Sequence, residues 1–326
     1  MSTPWLSVLV PAYKAEAYLR ACVSSVVGQG VAGVEVVVLD DASGDATATV
    51  AEGLQTMHPH TVRVCRQATN RGISAARNRL LGEARGRHAW FLDADDILMP
   101  GSLSSLQRWL GDADPDLVLC DFRTLRGDFS LKHRLRGELH RTTFAGRSRV
   151  VARDRNALVA GVLHNGELHV WSKIARRDVW ERIAFPEGRL FEDVAVTADL
   201  LSAARSHVHV PEVWVGYRQW PGSALKTLSP CRSRDLLAAL RRMRAGFEAM
   251  GDLDGHAWFA IDHFCLKSVV SLAAKLPAQD LALQAEFRIA VTDMFGRRGD
   301  TTVQAYLRRG WWLRALRARR LLATYS

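Results

Sequence analysis

The chain has 326 residues, of which 48% are hydrophobic and 24% are charged, and its formal net charge is +10. This balance is ordinary for a globular protein and excludes intrinsically disordered and collagen-like chains. No apolar run approaches the roughly 20 residues of a membrane-spanning helix, and we see no basic and apolar leader typical of a secretory signal. Five scattered cysteines without a Cys-x-x-Cys pair favour a reducing compartment, and each is interpreted as buried packing.

Short apolar strands alternate with helical segments in the first 100 residues. Strands are predicted at 6–10, 34–39, 62–65 and 88–92, and helices at 15–27, 46–57 and 73–84. This alternation is typical of an α/β protein with a parallel sheet that is covered by helices on both faces. Ligands of such sheets bind at the carboxyl ends of the strands. Polar or turn residues follow three of these strands, at 11–13, 40–41 and 93–96.

The pattern becomes entirely helical after about residue 225. Helices are predicted at 234–250, 258–276, 280–295 and 301–325, separated by Gly251, Pro277 and Gly296. We therefore place a domain boundary near Lys226 to Pro230. Before it, His207 and His209 alternate on a further predicted strand, where an exposed strand face is favoured over a metal site.

The basic excess is concentrated in two stretches. Residues 123–155 carry a net charge of +7, as do residues 297–320, which leaves the rest of the chain acidic. Basic patches attract phosphates on lipids, nucleic acids or anionic polymers, and a solvated surface is the alternative interpretation.

Asp93 and Asp95 directly follow the fourth predicted strand. Hard carboxylate oxygens in this spacing suit Mg²⁺ or Mn²⁺, although aspartate is also common in turns. The chain has no G-x-G-x-x-G after the first strand and no P-loop signature, which argues against those nucleotide sites. A phosphatase of the haloacid dehalogenase type uses D-x-D-x-[TV], but here the fifth position is Ile97 and the motif follows the fourth strand instead of the first.

Several motifs together resemble a family-2 glycosyltransferase of the GT-A fold. They are VPAY at 10–13, LDDASGD at 39–45, NRGISAARN at 70–78, FLDADD at 91–96, FEDV at 191–194 and YRQWPGS at 217–223. The resemblance covers about residues 4–226, with Ala42 where the family usually has glycine. It implies a Rossmann-like, mostly parallel sheet in residues 1–226, divided into a nucleotide-binding half (1–100) and an acceptor half (101–226), followed by a helical domain at 227–326.

The resemblance also implies transfer of a sugar from a nucleotide diphosphate donor with inversion at the anomeric carbon. A Mn²⁺ or Mg²⁺ cofactor on Asp95, with Asp93 nearby, would neutralise the diphosphate leaving group. Asp93 is expected from the family to reach the ribose of the donor or the metal. Asp41 is expected to accept a hydrogen bond from the base, which favours a UDP-sugar. The remaining donor contacts would come from Pro11, Tyr13, Asn70, Arg77, Arg218 and Ser223, since a forked guanidinium suits a diphosphate.

The family assigns the general base to the aspartate of its E-D motif, here Asp193. Taken alone, Glu192 and Asp193 would be interpreted as a helix N-terminus. The same comparison places Glu192, Trp171 and Lys173 on the acceptor side. Trp171 has two interpretations, sugar stacking or core packing.

We expect a glycan, polymer or lipid-linked acceptor, and the stretch at 123–155 favours an anionic one. A nucleic-acid-binding protein is favoured only by charge, and an acidic sheet edge would repel phosphates.

Trp311 and Trp312 among arginines indicate a membrane-surface helix, but the arginines spread around the helix, which favours packing on the protein. The expected setting is the cytoplasm, with peripheral contact at the inner membrane face and a homo-oligomer through the C-terminal helices as open alternatives.

Overall fold

A computed structural model describes residues 3–111, 113–126, 137–219, 229–277, 279–296 and 298–325. Its eight strands form one sheet in the order β3-β2-β1-β4-β7-β6-β8-β5. The strands are β1 Leu6–Ala12, β2 Val34–Asp40, β3 Val62–Arg66, β4 His88–Phe91, β5 Ile97–Leu98, β6 Leu117–Leu125, β7 Lys173–Arg176 and β8 His207–Arg218.

The first four strands confirm the predicted α/β alternation. β1 pairs in parallel with β2 and β4, and β2 pairs in parallel with β3. All seven residues of β1 and of β2 are buried, as expected for strands covered on both faces. The second half of the sheet is mixed, because β7 runs antiparallel to both β4 and β6 and β5 runs antiparallel to β8.

The described residues before position 229 contain seven α-helices. They are α1 Leu19–Val27, α2 Thr47–Met57, α3 Gly72–Glu83, α4 Ser102–Leu110, α5 Arg155–Asn165, α6 Arg177–Trp180 and α7 Glu192–Ala203. The alternation of side chains along β1 divides the core: Val8 and Val10 face a cluster that contains α1 and α4, and Leu9 faces one that contains α3, α5 and α7.

The C-terminal helices are α8 Pro230–Met250, α9 Gly255–Ala273, α10 Leu281–Phe295, α11 Gly299–Arg308 and α12 Trp312–Tyr325. Side chains of Ser229, Asp254 and Asp280 cap the first three by accepting backbone hydrogen bonds. The single helix predicted at 301–325 is wrong, because the chain breaks at Gly310, whose φ of +70° is left-handed.

The C-terminal helices share a core with the preceding part of the chain. Buried Leu240 and Phe247 of α8 belong to the same cluster as Leu9 and Phe91 of the sheet. The predicted boundary at 226/227 falls outside the described residues. No helix in the described ranges combines the length and the apolarity needed to cross a bilayer.

Two details differ from expectation because of local contacts. His207 and His209 are buried instead of exposed; His209 lies between Ser148 Oγ and Asp121 Oδ1, each 2.8 Å from a ring nitrogen, and so fixes residues around 148 against β6 and β8. Cys231, interpreted as buried packing, is exposed near the start of α8.

Candidate active site

Asp41 and Asn70 meet at the carboxyl end of β2. The carboxylate of Asp41 is buried and accepts hydrogen bonds from the backbone N–H groups of Arg71 (2.9 Å) and Gly72 (2.8 Å) at the start of α3. Asn70 Nδ2 donates to the Asp41 carbonyl at 3.3 Å. Each carboxylate oxygen has two lone pairs, so Asp41 retains acceptor capacity.

Pro11 and Tyr13 lie beside this pair. Pro11 is buried in β1 next to Leu39 of β2, whereas Tyr13 is half exposed just beyond the end of the strand. The Asp41 N–H donates to the Ala12 carbonyl at 2.9 Å, which joins the two strand ends. Four sequence-predicted donor contacts therefore share one edge of the sheet.

The D-x-D segment forms a turn after β4, in which the Asp96 N–H donates to the Asp93 carbonyl at 2.9 Å. Arg218, at the end of β8, fixes this turn: its N–H donates to Asp96 Oδ1 at 2.7 Å and its Nε donates to the Asp95 carbonyl at 2.9 Å. The Arg218 guanidinium also lies 5.2 Å from the ring centre of Tyr18. Arg218, which we expected to contact the diphosphate, thus holds the turn that carries the two expected metal ligands, Asp93 and Asp95.

Acidic charge is crowded at this turn. Burial, reinforced by the negative charges of Asp93 and Asp95, raises the pKa of Asp96. Burial and the same three aspartates raise the pKa of Tyr217 to about 12. A field of this sign and a set of hard oxygen donors fit a divalent cation. In the described part of the chain, no three His, Cys, Asp or Glu side chains form a complete metal site, so a cation here would need water or phosphate oxygens as further ligands.

Arg77 connects the D-x-D turn with the E-D motif. Its buried guanidinium donates to Asp93 Oδ1 at 2.9 Å and to Glu192 Oε1 at 2.5 Å. It lies 5.7–5.8 Å from the ring centres of Phe91 and Phe185. The two carboxylates raise the pKa of Arg77 against the effect of burial, which lowers it. Burial also raises the pKa of Glu192, although Arg77 opposes that shift.

A cavity of about 410 Å³ brings the two acidic motifs together. Asp93 lines it from the end of β4, and Glu192 and Asp193 line it from the first turn of α7. Asp193 Oδ1 accepts from the Val194 N–H at 2.8 Å. Asp193 Oδ2 lies 3.8 Å from His169 Nδ1. The further lining residues are Ile73, Arg77, His169, Val170, Trp171, Leu190, Phe191, Tyr217, Arg232 and Leu236.

One wall of the cavity is aromatic. The ring of His169 stacks on Trp171 with centres 4.6 Å apart, and Tyr217 stacks on Trp171 with centres 5.5 Å apart. His169 and Tyr217 lie 5.6 Å from each other, so both cover the same face of the indole. Trp171 itself is only 1% exposed, because His169 and Tyr217 cover that face of the indole. His169 and Tyr217 are the rings in front of it.

Lys173 does not line the cavity. Its buried ammonium donates to the carbonyls of Glu167 (3.1 Å) and His169 (2.8 Å) and to Ser172 Oγ (3.0 Å). Burial lowers its pKa to about 8. These bonds hold the backbone that carries His169 and Trp171.

Four residues remain in the comparison between the predicted and the observed site. Ser223 lies outside the described residues. Arg232 and Leu236 reach the cavity from α8, beyond the predicted transferase region. His169 belongs to no motif that we singled out, and only its position two residues before Trp171 pointed to it.

The amino-acid sequence is similar to a known protein family and to several named proteins. Residues 7–164 match the family described as glycosyl transferase family 2. EpsH of Bacillus subtilis, which bears a glycosyltransferase name, is 29% identical over 198 residues, covering 57% of this chain and 52% of EpsH. The minor teichoic acid biosynthesis protein GgaA of the same organism is 30% identical over 113 residues, covering 33% of this chain and 25% of GgaA. The chain thus spans about half or less of the length of these relatives.

The fold has a close solved counterpart. The structure of S. aureus TarS 1-349 in complex with UDP-GlcNAc superposes with a TM-score of 0.75 at 18% identity, covering 98% of this chain and 91% of that one. At this identity the likeness shows the GT-A-like fold, including its C-terminal helices. Residues 7–164, which contain the motifs at the ends of β1, β2 and β4, therefore match a glycosyl transferase family 2 domain within this fold.

Proposed function

We propose that the protein is an inverting glycosyltransferase that moves a sugar from a nucleotide diphosphate sugar to an acceptor hydroxyl. The observation that carries the proposal is the shared cavity, in which Asp93 and Asp193 face the same space from β4 and α7. The family match and the relative EpsH favour this activity over the haloacid dehalogenase alternative.

Asp193 is the proposed base. In a single displacement, the acceptor oxygen forms a bond to the anomeric carbon while the bond from that carbon to the diphosphate oxygen breaks. The hydroxyl proton passes to the carboxylate of Asp193, whose Oδ1 accepts from the Val194 N–H and whose Oδ2 lies 3.8 Å from His169 Nδ1. General base catalysis of this kind contributes about 10²–10⁴-fold.

The leaving diphosphate requires positive charge. Asp95 and Asp93 would hold a Mn²⁺ or Mg²⁺ cofactor, and such an ion supplies charge neutralisation at phosphate oxygens. Arg218 lies at the same turn and presents a guanidinium toward this edge of the sheet. Asp41, Asn70, Pro11 and Tyr13 frame the proposed nucleoside position.

A UDP-sugar is the proposed donor. The Asp41 carboxylate retains acceptor capacity for a base N–H, and the structural neighbour TarS was solved with UDP-GlcNAc. For the acceptor, we propose an anionic polymer or a lipid-linked glycan. Leu125 of β6 pairs with Arg218 of β8. The start of the basic stretch at 123–155 therefore lies at the edge of the sheet that carries the D-x-D turn. The relative GgaA is named for teichoic acid biosynthesis.

Thermal unfolding with UDP, GDP, CDP or dTDP, each with Mn²⁺ or with chelator, tests the donor class. A ligand at about 100 times its Kd stabilises a protein by about 2.7 kcal/mol, which raises Tm measurably. We expect a Mn²⁺-dependent rise with UDP that is lost in Asp95→Asn. Equal Tm with every nucleotide, with and without metal, would contradict the proposal.

A further inference from the structure

Helix α12 packs on the protein with one face and leaves a large apolar face uncovered. Its buried residues are Ala315, Ala318 and Leu321, so the expectation of packing is confirmed for that side. On the other side Trp312 is 67% exposed, Leu313 is 72% exposed and Leu316 is 46% exposed. Three adjacent apolar side chains with this exposure are unusual on a free soluble surface.

Arginines border this apolar face. At 100° per residue, Arg320 lies between Leu316 and Leu313, with Arg317 and Arg319 on either side of them. All three arginines are exposed. The buried side of α12 occupies the opposite half of the helix, so these three arginines share the solvent half with the apolar residues.

A groove of about 870 Å³ runs along the same helix. Lys267 of α9 and Lys275, just beyond the end of α9, line it together with Arg314, Arg317 and Arg320 of α12. None of these five cations pairs with a carboxylate among the residues that the structure describes. Burial, together with the positive charges of Arg314 and Lys267, lowers the pKa of His263 in the groove to about 4.

We propose that the exposed face of α12 and the adjoining groove form a docking surface for an anionic lipid bilayer, with Trp312, Leu313 and Leu316 entering the headgroup region and the groove cations binding lipid phosphates. Apolar residues flanked by Lys and Arg are the pattern of helices that lie in a membrane interface. A second copy of the chain fits poorly, because it would bring the same arginines against one another. The proposal does not depend on the transferase activity.

Vesicle flotation tests this surface. We expect the protein to float with phosphatidylcholine vesicles that contain about 30% phosphatidylglycerol, to remain unbound with phosphatidylcholine alone, and to dissociate in about 0.5 M salt. Each basic residue near an anionic membrane contributes roughly five-fold in affinity, so Arg317→Glu/Arg320→Glu should lose at least about 25-fold. The control Arg182→Glu/Arg288→Glu makes the same charge change at exposed sites elsewhere and should keep binding.

A second pair of variants separates apolar insertion from charge. Leu313→Ala/Leu316→Ala should weaken vesicle binding, whereas Leu281→Ala/Ile289→Ala, which truncates exposed apolar residues of α10, should not. Circular dichroism and Tm check that each variant is folded. Binding to neutral vesicles that charge reversal leaves unchanged would overturn the proposal. So would failure of the wild type to bind anionic vesicles, or self-association that Leu313→Ala/Leu316→Ala abolishes.

Discussion

Arg77 of α3 donates a 2.5 Å hydrogen bond to Glu192 at the start of α7, a residue 115 positions further along the chain. The same guanidinium holds Asp93 at 2.9 Å. One buried arginine therefore fixes the distance between the D-x-D turn and the E-D motif. If the proposed function holds, this contact sets the separation between the donor phosphates and the base.

Arg77→Ala should lower the free energy of unfolding by about 3–5 kcal/mol, because it leaves Asp93 and Glu192 without their shared partner in a largely buried site. Urea denaturation measures this change. The matched control is Arg79→Ala on the same helix, where the arginine is 60% exposed and pairs with Glu83; we expect a loss within about 0.5 kcal/mol. Equal losses in both variants would contradict a central role for Arg77.

Asp193→Asn should reduce turnover by about 10²–10⁴-fold and leave nucleotide affinity unchanged, because the amide cannot accept the acceptor proton. Steady-state kinetics and nucleotide titration measure the two effects separately. Asp199→Asn is the control, since Asp199 lies on the same helix and pairs with Arg242 at the surface. Near-normal turnover in Asp193→Asn would remove the residue from the base role.

The sequence predicted the first half of the sheet well for a physical reason. Each βα unit there carries its own signals, an apolar run, a turn and an amphipathic helix, so Asp41 and Asp93 could be assigned to strand ends at the same edge of the sheet. Contacts between distant segments carry no such signal. The bond from Arg77 to Glu192, the antiparallel β7 and the shielding of Trp171 by His169 all depend on chain pairing that a single sequence does not encode locally.

Ala42 stands where the family usually has glycine, and its backbone explains that preference. Its φ is +54°, in the left-handed region that costs a residue with a Cβ roughly 1–2 kcal/mol. Ala42→Gly relieves this cost but adds chain entropy to the unfolded state, so we expect a gain of up to about 1 kcal/mol. Ala42→Val should destabilise the fold, because β-branched residues tolerate this region worst.

Thermal and urea unfolding compare these variants with Ala48→Gly. Ala48 lies in α2 with ordinary helical geometry, where glycine should cost up to about 1 kcal/mol. Opposite signs for Ala42→Gly and Ala48→Gly would support backbone strain at Ala42. A loss of similar size at both positions would show that the left-handed conformation is not costly here.

His88 should make stability depend on pH between about 6.5 and 4. Burial in β4 lowers the pKa of His88 from 6.5 to about 4. The Asp114 carboxylate, whose Oδ1 lies 3.3 Å from His88 Nε2, acts in the opposite direction but does not outweigh burial. Over this interval the unfolded chain binds a proton that the folded protein excludes. Stability from this group is therefore complete above pH 6.5 and is lost as the pH falls toward 4, by up to about 1.4 kcal/mol per pH unit.

His88→Gln removes that proton uptake, so its unfolding free energy should fall less steeply with acid than that of the wild type. Urea denaturation at a series of pH values between these limits measures the two slopes, and carboxylates common to both proteins cancel in the difference. His60→Gln, at an exposed histidine, is the control and should follow the wild type. If His88→Gln also follows the wild type, the buried imidazole accepts its proton as readily in the folded state as in the unfolded chain.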